Sequence, residues 1–263
     1  ALPHTHFVDN TVYTDESLFR EEQTKIYGSV WKFVCHEGEI PDPNDFRTSQ
    51  VAGQPLVIAR GVDGKVRTFI NSCSHRGTVV VTEPSGNAKF WTCVFHRWVY
   101  DNQGACIAIP RDEAYQHCAF DKSNVGLREV RTEVRLGLVF VNLDDNSESL
   151  DEFLGDALTP LETVLSKQPL EPFHYHRCTM DSNWKLWQLT NIEPYHEFMH
   201  VINRKTQFSQ KDVFKRKIDC LPNGHINVGS FKPDYSKGDD RSTDDVRMKP
   251  LPGLEPDEWI IVD

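Results

Sequence analysis

Four side chains with strong affinity for metal ions stand in two close pairs. Cys73 and His75 lie in "CSHRG", and Cys93 and His96 lie in "CVFHRW", with seventeen residues between His75 and Cys93. A second constellation lies far downstream in "TNIEPYHEFMH". There His196 and His200 are four residues apart, and Glu193 precedes His196 by three. Residues four apart share one face of a helix, so these two histidines can turn their imidazoles to one point. Both groups ask for a metal, and their spacings restrict which one.

The first pattern, Cys-x-His-x17-Cys-x2-His, collects two thiolates and two imidazoles if the two loops sit at the tips of neighbouring hairpins. A structural zinc site uses the same residue types. Its loops, however, usually open Cys-x2-Cys or Cys-x2-His, and here the first pair is Cys-x-His. A Rieske [2Fe–2S] cluster takes two cysteines on one iron and two histidines on the other. Neutral imidazoles then replace two anionic thiolates. The reduced cluster carries less negative charge, and its potential rises by on the order of hundreds of millivolts over an all-cysteine ferredoxin.

The second pattern contains His196-Glu197-Phe198-Met199-His200, which matches the H-E-x-x-H helix of zinc peptidases with Glu197 as the base. The continuation argues against a peptidase. Asn203 and Thr206 stand where the metzincin extension places a glycine and a third histidine, and residues 201 to 230 contain no glutamate to serve instead. Pro194 also falls where a peptidase helix should run unbroken. Two further readings remain: a pair of histidines satisfied by the fold, and a mononuclear iron bound by two histidines and a carboxylate.

The elements that must position these residues can be read from texture. Residues 14 to 31 carry a helical pattern opened by Thr14 as N-cap. From about residue 38 to 145 short apolar runs alternate with turn residues. "PLVIARGVDGKVRTFIN" reads as a hairpin on Asp63-Gly64, "KFWTCVFHRWVYDNQGACIAI" as two strands joined by "DNQG", and "EVRTEVRLGLVFVNLD" as further strand. "NSESLDEFLGDALTPLETVL" reads as a connecting helical segment, residues 172 to 183 as extended, and "NWKLWQLTNIEPYHEFMHVIN" as a helix interrupted near Pro194. "KRKIDCLPNGHINVGSF" is a hairpin on Asn223-Gly224, "PDYSKGDDRSTDDVRMKP" a polar loop, and "DEWIIVD" a strand.

The 263 residues suffice for one large domain or two ordinary ones. A net charge of -10 without a basic stripe argues against nucleic acid, and no apolar run is long enough to span a membrane. The start "ALPHTHFVDN" has no secretory pattern. Seven scattered cysteines do not make a disulfide framework and point to a cytoplasmic protein with mostly buried thiols.

"CSHRG…CVFHRW", through Cys73, His75, Arg76, Gly77, Cys93, His96 and Trp98, resembles the cluster motif of ring-hydroxylating (Rieske non-haem iron) oxygenase α subunits. "FDKSNVGLREV", "GLVFVNLD" and "NWKL…EPYH" resemble the same family. The resemblance implies an α+β chain. It has an N-terminal helical segment (1–37), an all-β Rieske domain (38–155), and the first part of a helix-grip α+β catalytic domain (156–263). It implies a [2Fe–2S] cluster on Cys73, His75, Cys93 and His96, and mononuclear Fe(II) on His196 and His200. Glu193 would bridge the iron site and a neighbouring subunit's cluster histidines. The third, carboxylate ligand is expected beyond residue 263. The implied activity is mono- or dioxygenation of a small organic, aromatic substrate with O2. Electrons from NADH arrive through a reductase, with or without a ferredoxin, and the assembly is a trimer with or without β subunits. Three features depart from the family. The second loop commonly reads Cys-Pro-Tyr-His-Gly-Trp, where this chain has Val94, Phe95 and Arg97. Aspartate usually stands at Glu193. Four residues rather than three usually separate the histidines. An alternative of another class stays open: a Rieske electron-transfer or ligand-binding protein without a working iron site.

Overall fold

The computed structural model describes residues 8–115, 117–165, 172, 174–176, 178–192, 218–231 and 259–262. The helix expected over 14–31 forms over residues 16–27, beginning two residues after Thr14 and ending four before residue 31. A single turn, α1 (Thr11–Thr14), is followed by extended Asp15 at φ -78° and ψ 117°, then by α2 (Glu16–Glu22) and a π-helical turn (Gln23–Tyr27). Thr14 is therefore not an N-cap; its hydroxyl donates back to the Asn10 carbonyl at 3.2 Å. Lys32–His36, beyond that helix but inside the N-terminal segment (1–37) expected to be helical, forms strand β1.

The chain divides into two compact units. The first to be described comprises residues 16–150 with 171–174. Beyond β1, its strands are β2 (Asp45–Val51), β3 (Gln54–Arg60), β4 (Val66–Ile70), β5 (Ser85–Asn87), β6 (Phe90–Thr92), β7 (Val99–Asp101), β8 (Cys106–Ala108), β9 (Glu129–Arg135) and β10 (Leu138–Asn142). They make an antiparallel seven-stranded sheet, in the order β1-β10-β9-β4-β3-β2-β5, and a smaller sheet, β6-β7-β8. The expected turns appear. Gly64 and Gly104 take φ 78° and 85°, a region open to glycine, and a side chain on Gly104 would collide with the Phe69 ring. Asp101 Oδ1 completes that turn by accepting from the Gln103 and Ala105 N–H groups at 2.9 Å.

β3 explains the layering. Leu56, Val57, Ile58 and Ala59 are all fully buried, so both faces of this strand are covered and its sequence is an unbroken apolar run. Val57 and Ala59 face a core shared with Phe69, Cys73, Trp91, Cys93, Trp98 and Tyr100, which packs the small sheet on the large one. Leu56 and Ile58 face a second core with Cys35, Ile40, Val130, Val139 and Val141. Cys73 and Cys93 thus belong to the first core, at the junction of the two sheets.

The other unit comprises residues 1–15, 151–170 and 175–263. Its elements are the short helices α3 (Leu150–Leu154) and α4 (Thr159–Leu165), separated at Gly155 (φ 48°), then α5 (Trp184–Ile192) and the antiparallel sheet β11 (Ile218–Cys220), β12 (Ile226–Phe231) and β13 (Trp259–Val262). The Asn223-Gly224 turn is present with φ 61° and 82°, and Asn223 Nδ2 donates to the Phe153 carbonyl at 2.9 Å. Asn183 opens α5, its Oδ1 accepting from the Lys185 N–H at 3.1 Å. α5 ends one residue before Glu193. Among the described residues no helix is long and apolar enough to cross a membrane. The polar loop expected over 233–250 lies outside the described residues.

Candidate metal centre

The two Cys/His loops share one backbone framework. In the first, the Cys73 N–H donates to the Thr78 carbonyl and the Gly77 N–H to the Cys73 carbonyl, both at 2.8 Å. In the second, the Cys93 N–H donates to the Trp98 carbonyl at 2.8 Å and the Arg97 N–H to the Cys93 carbonyl at 3.0 Å. Each loop turns through a left-handed residue four places after its cysteine: Gly77 at φ 72°, Arg97 at φ 62°. Glycine adopts that backbone freely, whereas an L-side chain there costs about 1 kcal/mol.

Only the second loop is a hairpin tip, between β6 and β7. The first leaves β4, which lies between β9 and β3, and leads to β5, which pairs with β2 at the sheet edge. Without a hairpin to hold it, this loop is closed by one buried side chain. Asn71 Oδ1 accepts from the Val80 and Val81 N–H groups at 3.1 and 2.9 Å, and its Nδ2 donates to the Val81 carbonyl at 2.7 Å. Asn71→Ala strands three buried backbone groups, each worth about 1–3 kcal/mol unpaired. The expected loss of about 3 kcal/mol or more would appear as a lower denaturant midpoint with an unchanged slope.

Cys73 and Cys93 are 3% and 1% exposed. The Tyr100 oxygen lies 3.1 Å from Cys73 Sγ and accepts from the Ser74 N–H at 3.1 Å, which leaves its own O–H to donate to the sulfur. Burial first, then the neighbouring Cys73, raises the Tyr100 pKa above the ordinary phenol range, so the proton stays on. The His75 and His96 rings meet edge to face at 4.5 Å between centroids. Trp98 stacks on His75 at 5.0 Å and 7°, and Phe95 lies 4.1 Å from His96. Burial, then His96 and the Arg76 guanidinium, push His75 below the usual imidazole range. Its Nδ1 is buried and has no hydrogen-bond partner. A buried, neutral imidazole nitrogen with no partner is poised to ligate a metal.

The loops therefore present a pair of buried thiols and a pair of adjoining imidazoles. Among the described residues no three His, Cys, Asp or Glu side chains gather as they would around a single ion. Two pairs suit a two-iron cluster, whose irons each take two protein ligands. Glu193, His196 and His200, with Glu197, lie outside the described residues. Asn71 and Tyr100 escaped the sequence reading. Trp98 and Tyr100 are two apart at the entry to β7 and so share a face, the one signal available for Tyr100; nothing local marks Asn71.

Comparison with known proteins gives a concordant picture. Residues 30–125 match the family described as Rieske [2Fe-2S] domain. The chain is 50% identical over 261 residues, 98% of its length, to the α subunit of 2-aminobenzenesulfonate 2,3-dioxygenase from Alcaligenes sp. It is 40% identical over 272 aligned residues, and 100% of its length, to the hydroxylase α subunit of methanesulfonate monooxygenase from Methylosulfonomonas methylovora. It spans 66% and 65% of those two relatives, just under two thirds. A solved quaternary ammonium Rieske monooxygenase superposes with a TM-score of 0.75 at 26% identity, over 86% of this chain and 61% of that one.

Proposed function

We propose that the chain is a Rieske oxygenase α subunit, the terminal oxygenase component of a system that hydroxylates a small organic substrate with O2; the matched Rieske domain and the relatives at 50% and 40% identity support the reading. The observation that carries the reading is the paired site: buried Cys73 and Cys93 on the same two loops as adjoining His75 and His96, with His75 Nδ1 buried and unpartnered. Cys73 and Cys93 would hold one iron of a [2Fe–2S] cluster, and His75 and His96 the other. His196 and His200 would hold a mononuclear iron, and Glu193 would stand between that site and the cluster histidines of a second copy. When bound, the cluster supplies one-electron transfer, and the mononuclear iron supplies O2 activation. The chain's own residues keep the thiolates dry, fix the imidazole planes against Trp98 and Phe95, and place a hydrogen-bond donor on Cys73. NADH-derived electrons enter from a separate reductase, with or without a ferredoxin. The assembly is a trimer, with or without β subunits.

Two relatives at 50% and 40% identity are named for substrates of very different size, one aromatic and one of a single carbon, that share a sulfonate. A sulfonate-bearing substrate is accordingly the reading for this chain. Substrate-dependent O2 uptake by the full-length protein, supplied with electrons, should respond to 2-aminobenzenesulfonate or methanesulfonate more than to the carboxylate analogue anthranilate. The reverse order would overturn the sulfonate assignment. Iron accompanied by acid-labile sulfide is expected in the purified protein; zinc without sulfide would overturn the oxygenase reading.

Tyr100→Phe removes the O–H beside Cys73 and little else. A hydrogen bond to a ligating sulfur stabilises the more negative, reduced cluster. Its loss should shift the midpoint potential downward by on the order of tens of millivolts, with the cluster retained. A redox titration followed in the visible spectrum measures it, and an unchanged potential would show that the hydroxyl does not act on the thiolate.

A further inference from the structure

Residues 109–126 supply no ligand to the centre, yet the segment touches both of its loops. Its described residues form only two short 3-10 turns, Asp112–Tyr115 and Lys122–Asn124. Residues 111–114 and 117–119 are exposed, whereas Tyr115 and Phe120 turn inward and pack against the core that holds Cys73 and Cys93. The two rings stack on each other at 4.6 Å and 27°. Phe120 then meets Trp98 edge to face at 6.2 Å and 73°, and Trp98 lies flat on His75. Hydrogen bonds fix the segment around Phe120. Asp121 Oδ1 accepts from the Ser123 N–H at 2.8 Å, and Lys122 Nζ donates to the Ile107 carbonyl at 3.1 Å. At the far end Ser74, between Cys73 and His75, donates its hydroxyl to the Gly126 carbonyl at 2.6 Å. A ligating imidazole is ordinarily oriented by a hydrogen bond at its other nitrogen. Among the described residues no hydrogen bond reaches the His75 ring, so ring contacts alone set its plane: the edge of His96 and the face of Trp98.

We propose that Phe120, backed by Tyr115, is a positioning residue that acts through Trp98 on His75 and holds the plane in which that imidazole would bind iron. The inference rests on the oxygenase reading and adds to it a residue outside both loops. Trp98 can fix the imidazole only if its own ring does not tilt, and a neighbour meeting it edge to face resists that tilt. Orbital overlap between an imidazole and a metal varies as the ring turns about the metal–nitrogen bond, so the groups that fix the ring tune the metal. His96 has a different aromatic neighbour, Phe95, so a change at Phe120 should reach one histidine and not the other.

Phe120→Leu and Phe120→Tyr in the full-length protein test this. The readout is pulsed electron paramagnetic resonance of the histidine nitrogens, with the cluster reduced by dithionite. Leucine keeps the apolar bulk against the core but offers Trp98 no flat edge. In Phe120→Leu one histidine nitrogen is expected to lose its single resolved coupling, while the other stays as in wild type. Phe120→Tyr keeps the ring and should keep both couplings. Both variants should hold wild-type iron and acid-labile sulfide. Phe95→Leu serves to identify the His96 nitrogen, because Phe95 lies against that ring. Two wild-type couplings in Phe120→Leu would overturn the proposal, as would a change confined to the His96 nitrogen. Equal disturbance of both nitrogens, or loss of sulfide, would also overturn it, by assigning Phe120 to the packing of the whole unit. Absence of iron and sulfide from the wild type would instead overturn the oxygenase reading, whatever Phe120 does.

Discussion

Replacing Cys93 with serine is expected to give a protein without acid-labile sulfide and without the visible absorption of an iron–sulfur cluster. Serine keeps the shape of the side chain, and the backbone bonds of its loop do not involve the thiol: the Cys93 N–H still reaches Trp98, and the Arg97 N–H still reaches the Cys93 carbonyl. The fold should therefore survive with a cost of about 1–3 kcal/mol for a buried hydroxyl. What is lost is the soft thiolate that iron requires; the serine hydroxyl keeps its proton at neutral pH. His75→Ala should do the same from the other side, since one iron would be left with His96 alone, and Trp98 would lose the ring it stacks on. At least a tenfold drop in sulfide is expected for each. The control is Cys35, equally buried but packed among Ile40, Leu56 and Val139, where burial raises its thiol to about 12. Cys35→Ala should keep its full sulfide. Because Cys35 and Cys93 are both buried thiols, the contrast separates ligation from packing. A Cys93→Ser protein with wild-type sulfide would sink the assignment of the cluster to these loops.

The loops were legible because metal ligation is written in residue type and short spacing, both local properties. The hairpins were legible for the same reason: Asp63-Gly64, Asp101 to Gly104 and Asn223-Gly224 carry their turn chemistry in two to four residues. What escaped depends on partners distant in sequence. β1 is a short strand whose existence follows from pairing with β10, about a hundred residues on. β5, "SGN", has little strand propensity and exists because the edge of β2 accepts it, which is also why the first loop is not a hairpin tip. Tyr100 reaches Cys73 across twenty-seven positions, and Asn71 closes a loop through backbone groups rather than through any pattern of side chains. The helix expected over 14–31 forms over residues 16–27, and its start was misplaced because propensity does not register one extended residue, Asp15.

His196→Ala is expected to reduce substrate-dependent O2 uptake by at least about 100-fold while leaving the sulfide content at its wild-type level. Two histidines and a carboxylate leave open positions on an iron, and removing one of three protein ligands from so sparse a set costs more than the 10–100-fold typical of groups that merely support a ligand. The cluster loops should be indifferent, because Cys73 and Cys93 belong to a core made entirely by the β unit, and His75 and His96 stand on the same two loops of that unit. The neighbouring substitution Glu197→Gln gives the contrast its meaning. In an H-E-x-x-H peptidase that glutamate is the base, and its loss would abolish activity as completely as loss of the histidine. In an iron site of the kind proposed, Glu197 is an ordinary residue of the segment and its amide should leave O2 uptake within about twofold of wild type. Glu193→Gln falls between. It should retain the iron and the sulfide yet slow turnover, because a carboxylate between two metal centres orders both sets of imidazoles and an amide does so without charge. Loss of O2 uptake in Glu197→Gln with full O2 uptake in Glu193→Gln would reverse the roles of the two glutamates and overturn the assignment of Glu193.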